Sequence, residues 1–213
     1  MASITKEQMS HLILSIKSGG EASADFKIDV REINLVCDIA IGYLLGKNYF
    51  QNRTEGGFEI DGAFVRSFKN QKVYLDQSRE EYYTDLPAKL ISLPNDRGLV
   101  QMSGMVGQNK AFLRLPTPGN RVFSALEAGN MPDEIYYYLE GDRVYYKGIK
   151  TASRWIPEVL IKMVASVEDL DETAALPIPS SMSVEFIEIV KQILDEEKNT
   201  PIDDVNDNSN NNK

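Results

Sequence analysis

Ile135-Tyr136-Tyr137-Tyr138-Leu139-Glu140-Gly141-Asp142-Arg143-Val144-Tyr145-Tyr146-Lys147 decides how this chain folds. Two runs of aromatic and branched side chains flank Gly141-Asp142, a dipeptide suited to a two-residue hairpin turn because glycine accepts positive φ. The spacing predicts strands over 135–140 and 143–147, paired antiparallel. Working outward, the period stays near two. Residues 64–68 and 72–76 read as strands around a Lys69-Asn70-Gln71 turn. The run 82–93 is interrupted by Pro87 and closed by Pro94, which limits it to an edge strand. Asn95-Asp96-Arg97-Gly98 has turn composition, and 99–102 resumes an extended run. Residues 112–115 end at Pro116-Thr117-Pro118-Gly119, a loop with little freedom, and 158–167 is rich in β-branched side chains and reads as a further strand.

The ends of the chain carry a different period. Thr5-x-x-Gln8 and Asp29-x-x-Glu32 have the form of capping boxes, each with a hydrophobic staple, Ile4 with Met9 and Ile28 with Ile33. The first opens a helix over 6–18 whose stripe is Met9, Leu12, Ile13 and Ile16, ended by Gly19-Gly20. The second opens a helix over 30–45 with Ile33, Val36, Cys37, Ala40, Ile41 and Leu44 on one face and Gly46 as its stop. The short linker implies that these helices pack on each other or on a shared neighbour. Pro177 and Pro179 lead to a third helix starting near Ser181, with Met182, Phe186, Ile189, Val190 and Ile193 on its apolar face.

Helix–helix–strands–helix, without crossover helices for parallel strands, predicts an α+β fold. It comprises an N-terminal helical hairpin, a central, mostly antiparallel and barrel-like β domain, a C-terminal helix and a disordered acidic tail. The expected segments are 1–50 for the two helices, 51–170 for the β-rich domain, 171–198 for the Pro-rich connector and last helix, and 199–213 for the tail.

Composition narrows the function. An apolar share of 42% over 213 residues supports a proper core in one domain, or one domain with an appended helical piece. Cys37 is the sole cysteine, so no internal disulfide forms, which suits a reducing cytosol. No basic n-region with an apolar h-region opens the sequence, and no apolar run approaches the length of a bilayer span, so a soluble, non-secreted protein is expected. The net charge of -9 sits in the C-terminal third: residues 161–213 carry 12 acidic and 4 basic side chains, against 20 and 19 before them. An acidic surface repels nucleic-acid phosphates.

No catalytic cluster emerges. His11, the only histidine, lies beside the stripe of the first helix without Cys or His partners for zinc, and is assigned a surface or packing role. Cys37 lies within an apolar stripe. G-x-S-x-G, the P-loop and the dinucleotide fingerprint are absent, and Gly104-x-x-Gly107 is too short for the last. Glu168-Asp169-x-Asp171-Glu172 has the oxygen ligands a divalent cation would take, and its plainer reading is a solvated loop after a strand. Paired carboxylates for a hydrolase are not singled out anywhere. The rival signal is aromatic and basic: Phe64, Arg66, Phe68, Lys69, Lys72 and Tyr74, then Tyr136, Tyr137, Tyr138, Arg143, Tyr145, Tyr146, Lys147, Arg154 and Trp155. Rings that stack bases beside cations that hold phosphates describe a cytosolic single-stranded nucleic-acid-binding protein with an OB-like face. Residues 60–155 hold 13 basic and 11 acidic side chains, a surplus of only two, and alternating strand aromatics also serve as cross-strand pairs.

Several segments together resemble a family. The first helix with Ser18-Gly19-Gly20 leads to Asp29-x-Arg31-Glu32-Ile33. Leu86-Pro87-Ala88-Lys89-Leu90-Ile91-Ser92-Leu93-Pro94-Asn95-Asp96-Arg97-Gly98-Leu99 follows, then the tyrosine hairpin with Glu140-Gly141-Asp142-Arg143. Leu176-Pro177-Ile178-Pro179 and an Asn/Asp tail close the chain. This order is similar to that of small virion structural proteins of tailed phages, the ring or adaptor proteins of the neck in crAss-like and related Bacteroidetes-infecting podoviruses. The resemblance implies a non-enzymatic head-to-tail connector without cofactor or metal. It implies a ring of copies of itself, commonly twelve, partnered by portal and other neck or tail proteins. Double-stranded DNA would pass through without sequence-specific binding, and no membrane is involved. The protein would reside in the virion, and in the host cytoplasm during assembly. Ring closure needs two different complementary faces. Candidate subunit-contact loops are Leu93, Pro94, Asn95, Asp96, Arg97 and Gly98, and Leu115, Pro116, Thr117, Pro118 and Gly119, whose plainer reading is ordinary surface turns. Acidic residues facing the lumen would let the duplex slide without sticking.

Overall fold

A computed structural model describes residues 4–19, 29–54, 60–91, 93, 98–105, 111–115, 134–151 and 154–199. Helix α1 (Lys6–Lys17) begins as its sequence dictates. The Thr5 hydroxyl accepts from the Gln8 amide at 3.2 Å, and the Thr5 amide donates to Gln8 Oε1 at 3.1 Å. Gly19, at φ +69°, follows the last turn in the left-handed conformation that ends helices. Helix α2 (Val30–Thr54) starts differently from expectation. Asp29 Oδ1 accepts from the Arg31 amide at 2.9 Å, one residue short of a capping box, while the Glu32 carboxylate pairs with the Lys17 ammonium and ties α2 to α1.

Nor does α2 stop at Gly46. Leu44, Leu45, Asn48 and Tyr49 are all buried, and burying the turns beyond the glycine outweighs its cost of about 1 kcal/mol inside a helix. Helix α3 (Ser183–Asn199), entered through a 3-10 turn at Ser180–Met182, lies against both N-terminal helices and is their shared neighbour. Met9 and Ile13 from α1, Val36, Ala40, Ile41 and Leu44 from α2, and Phe186, Val190 and Leu194 from α3 form one core.

The strands make two open sheets, not a closed barrel. Strands β1 (Arg66–Lys72), β4 (Leu99–Gly104) and β8 (Glu158–Met163) form an antiparallel sheet in the order β1-β8-β4. Strands β2 (Tyr74–Asp76), β3 (Glu81–Asp85), β5 (Leu113–Arg114), β6 (Tyr136–Glu140) and β7 (Arg143–Lys147) form the other, in the order β2-β3-β7-β6-β5, parallel only at β5–β6. The hairpin forms as read, with Glu140 opposite Arg143 and Gly141 at φ +61°, positive φ at the first central position being the pattern of a type II′ turn.

Two expectations are corrected. Lys69-Asn70-Gln71 is not a turn: β1 runs straight through it. Phe68 pairs with Ile161 and Gln71 with Val159, so one extra residue is absorbed as a bulge, with Asn70 at φ +57°. Strand β3 is interior, between β2 and β7, because it ends at Asp85, before Pro87 can break the ladder. Between the sheets lies a second core of Met102, Phe112, Tyr137, Val144, Tyr146, Ile149, Val159, Ile161 and Met163.

The cores meet where β8 ends. Val164 and Val167 enter the helical core, and Ala165 enters the sheet core. Asp38 of α2 accepts from the Ser166 hydroxyl at 2.6 Å and the Val167 amide at 2.9 Å. Arg66 of β1 donates to the Ser166 carbonyl at 3.1 Å.

Candidate assembly surface

Helix α2 has apolar side chains on two faces. The inner face is the stripe described above. The outer face carries Leu35, Ile39, Tyr43 and Phe50, whose exposures of 57, 48, 63 and 58% set them apart from a core helix. At 100° per residue these four, with Gly42 and Gly46, fall within an arc of about 100°. Neither glycine has any atom within 4 Å of where a Cβ would stand, so both open onto solvent as a notch between the larger side chains. Three ions near the stripe are engaged inside the subunit: Lys47 with Glu185 at 2.6 Å, Glu32 with Lys17, and Asp38 with Ser166 and Val167. Arg31, one turn before Leu35, is exposed at the start of the stripe. The stripe was present in the sequence at spacings of four, four and seven. The inner stripe alone accounted for a packed helix, and ending that helix at residue 45 removed Phe50 from the pattern.

The aromatic and basic residues do not share one face. Phe64 lies in the helical core, and Arg66, Phe68, Lys69 and Lys72 are on β1 of the three-stranded sheet, with Arg66 5.0 Å over the Phe68 ring. The tyrosines divide between the two sides of the five-stranded sheet. Phe64 is fully buried, and Tyr137 and Tyr146 point into the sheet core, where burial raises both phenol pKa values. On the opposite side Tyr74, Tyr83, Tyr145 and Tyr138 form a row across β2, β3, β7 and β6, with successive ring centroids 5.8, 5.9 and 5.4 Å apart. Arg143 lies 4.4 Å over Tyr83 and Arg79 lies 5.0 Å over Tyr145. Those cations are matched by acids: Arg143 with Asp85 at 2.9 Å, Arg79 with Glu140 at 3.0 Å, and Lys147 with Glu81 at 3.6 Å. Tyr138 donates to Glu81, and burial together with that carboxylate raises its phenol pKa; the Ser78 hydroxyl lowers the pKa of Asp76. Trp155 stands apart, 5.2 Å from Tyr82 with Lys150 over both rings.

Of the candidate contact loops, Leu93, Gly98 and Leu115 lie within the described residues. Leu93 and Leu115 are buried, and the Gly98 carbonyl accepts from the Val164 amide at 2.8 Å. Pro94, Asn95, Asp96, Arg97, Pro116, Thr117, Pro118 and Gly119 lie outside the described residues, as do the tail and Ile28. The acidic loop after β8 is organised by a lysine. The buried Lys6 ammonium donates to the carbonyls of Val167, Glu168 and Leu170 at 2.9, 3.3 and 3.2 Å, so those oxygens already face a cation. Among the described residues no three His, Cys, Asp or Glu side chains converge as metal ligands.

His11 is exposed on α1, near Glu7 at 4.0 Å, and Cys37 is fully buried in α2. Burial, then the neighbouring Asp38 charge, push the Cys37 thiol up to about 12 against a smaller pull from Lys6. A groove of about 660 Å³ between the sheets is lined in part by Ser67, Gln101, Arg114, Tyr137 and Lys162, with Ser67 opposite Lys162 in the β1–β8 ladder. Among the described residues no helix is long and apolar enough to cross a membrane.

No protein-family model matches the chain, and no curated protein matches it.

Proposed function

We propose that this chain is a structural component of a tailed-phage neck, forming an oligomeric ring between portal and tail through which genomic DNA passes. The observation that carries the reading is the doubly apolar α2, since a stripe that water penalises is expected where another protein surface will cover it. The charge split supports it further: an acid surplus gives passing duplex little to grip. The reading assigns the protein to the virion, and to the host cytoplasm before assembly. Mass spectrometry and antibody-gold labelling of purified particles test it. The expected result is multiple copies per particle at the neck; absence from particles overturns it.

The alternative, a single-stranded nucleic-acid-binding protein, would use the tyrosine row. Tyr138 and Tyr145 are stacked on each other, and the cations of the row are matched by carboxylates, so binding bases there would first require breaking those pairs. A gel shift with single-stranded DNA across a salt series separates the readings: tight, salt-steep binding favours the alternative.

A further inference from the structure

We infer that the outer face of α2 is a self-recognition surface, docking on α2 of a second copy in antiparallel, two-fold register. The inference rests on the reading of the chain as an assembly subunit and names the first partner of that face.

The size pattern supports this register. Place the two-fold axis at the level of Gly42 and Tyr43. Leu35 of one copy then lies level with Phe50 of the other, and Ile39 lies level with Gly46. A branched side chain therefore meets a missing one, twice per interface. At the axis the absent side chain of Gly42 leaves space beside the two Tyr43 rings. Helices approach closely where glycine removes the Cβ barrier, and neither glycine position is occupied by other groups of the subunit.

Charge and area point to the same occupant. Because Lys47, Glu32 and Asp38 are engaged internally, among the described residues only the exposed Arg31 at its N-terminal end charges the stripe, and its centre from Leu35 to Phe50 suits an equally uncharged partner. At about 200 Å² for a fully exposed large side chain the four expose roughly 450 Å² per copy, so two copies remove at most about 900 Å² from water, and the polar rim around the stripe supplies the remainder of the roughly 1,000 Å² a specific interface needs. A two-fold contact cannot propagate around a ring. It pairs copies before closure or joins one ring to another, leaving the remaining surface for head-to-tail neighbours.

Sedimentation equilibrium of the full chain tests the inference. The wild type is expected to sediment at about twice its 23.9 kDa mass at tens of micromolar. Ile39→Glu, an exposed position, is expected to leave a folded monomer. Gly46→Ala is expected to raise the melting temperature of the monomer, read below the concentration at which copies associate, while weakening the dimer at least tenfold, opposite signs that a purely structural glycine would not give. A monomeric wild type, a dimer indifferent to Ile39→Glu, or a Gly46→Ala dimer as tight as wild type overturns it. Particle labelling fails or succeeds separately: a neck protein that is monomeric in solution sinks only this inference, and an α2 dimer absent from particles sinks only the neck reading.

Discussion

Asp38 Oδ1 accepts from the Val167 amide at 2.9 Å, joining the middle of α2 to the chain just beyond β8. The other oxygen of the same carboxylate takes the Ser166 hydroxyl, so one side chain satisfies two donors at the junction of the cores. Asp38→Ala leaves both without their acceptor and is expected to cost about 2–3 kcal/mol, read as a shift in the urea midpoint without a change in slope.

Lys6 does the reciprocal work from α1. Replacing it by Met keeps much of the aliphatic stem but leaves the carbonyls of Val167, Glu168 and Leu170 without the ammonium. A loss of about 2 kcal/mol is expected by thermal denaturation. Because Asp38 and Lys6 hold the same short segment, the double variant should lose measurably less than the sum of the singles; strict additivity would mean that they act independently.

Two glycines should answer the same substitution with opposite signs. Gly46→Ala sits in a helix interior with open space around it, and should stabilise the monomer by about 0.5–1 kcal/mol. Gly141→Ala forces a Cβ into φ +61° at the hairpin turn and should destabilise by about 1 kcal/mol or more. Denaturation of both in parallel, below the concentration at which copies associate, checks the pair.

Cys37 should make the fold alkali-sensitive. Its folded pKa of about 12 lies above the ordinary 9.0, so above pH 9 the unfolded chain releases a proton that the folded chain keeps. Stability therefore falls as pH rises from 9 towards 12, by up to about 1.4 kcal/mol per pH unit from this group. Cys37→Ala should flatten that slope, and native Cys37 should resist thiol reagents at pH 8 until the protein unfolds.

What the sequence made legible was local. Thr5 and Gln8 are three residues apart and satisfy each other, and Gly141-Asp142 fixes its own turn, so neither feature needs the rest of the molecule. Gly46 and Asn70 were misread because their roles are set at a distance. Tyr49 buries the turn beyond Gly46, and β8 supplies the ladder that carries β1 through Asn70. The division of β1 and β2 between two sheets turns on Val73, whose amide donates to the Pro157 carbonyl at 2.9 Å, a partner no local pattern announces. Tyr74, Tyr83, Tyr145 and Tyr138 were visible as residues, but their alignment into a row follows from strand order and register together.

Val164 and Ala165 are adjacent residues committed to opposite interiors. Loosening either interior must therefore tug the same few peptide units, and neither half has a private seam along which to open. Amides deep in the sheets should exchange faster with deuterium when a helix is weakened, and heat should take the whole molecule apart in one step.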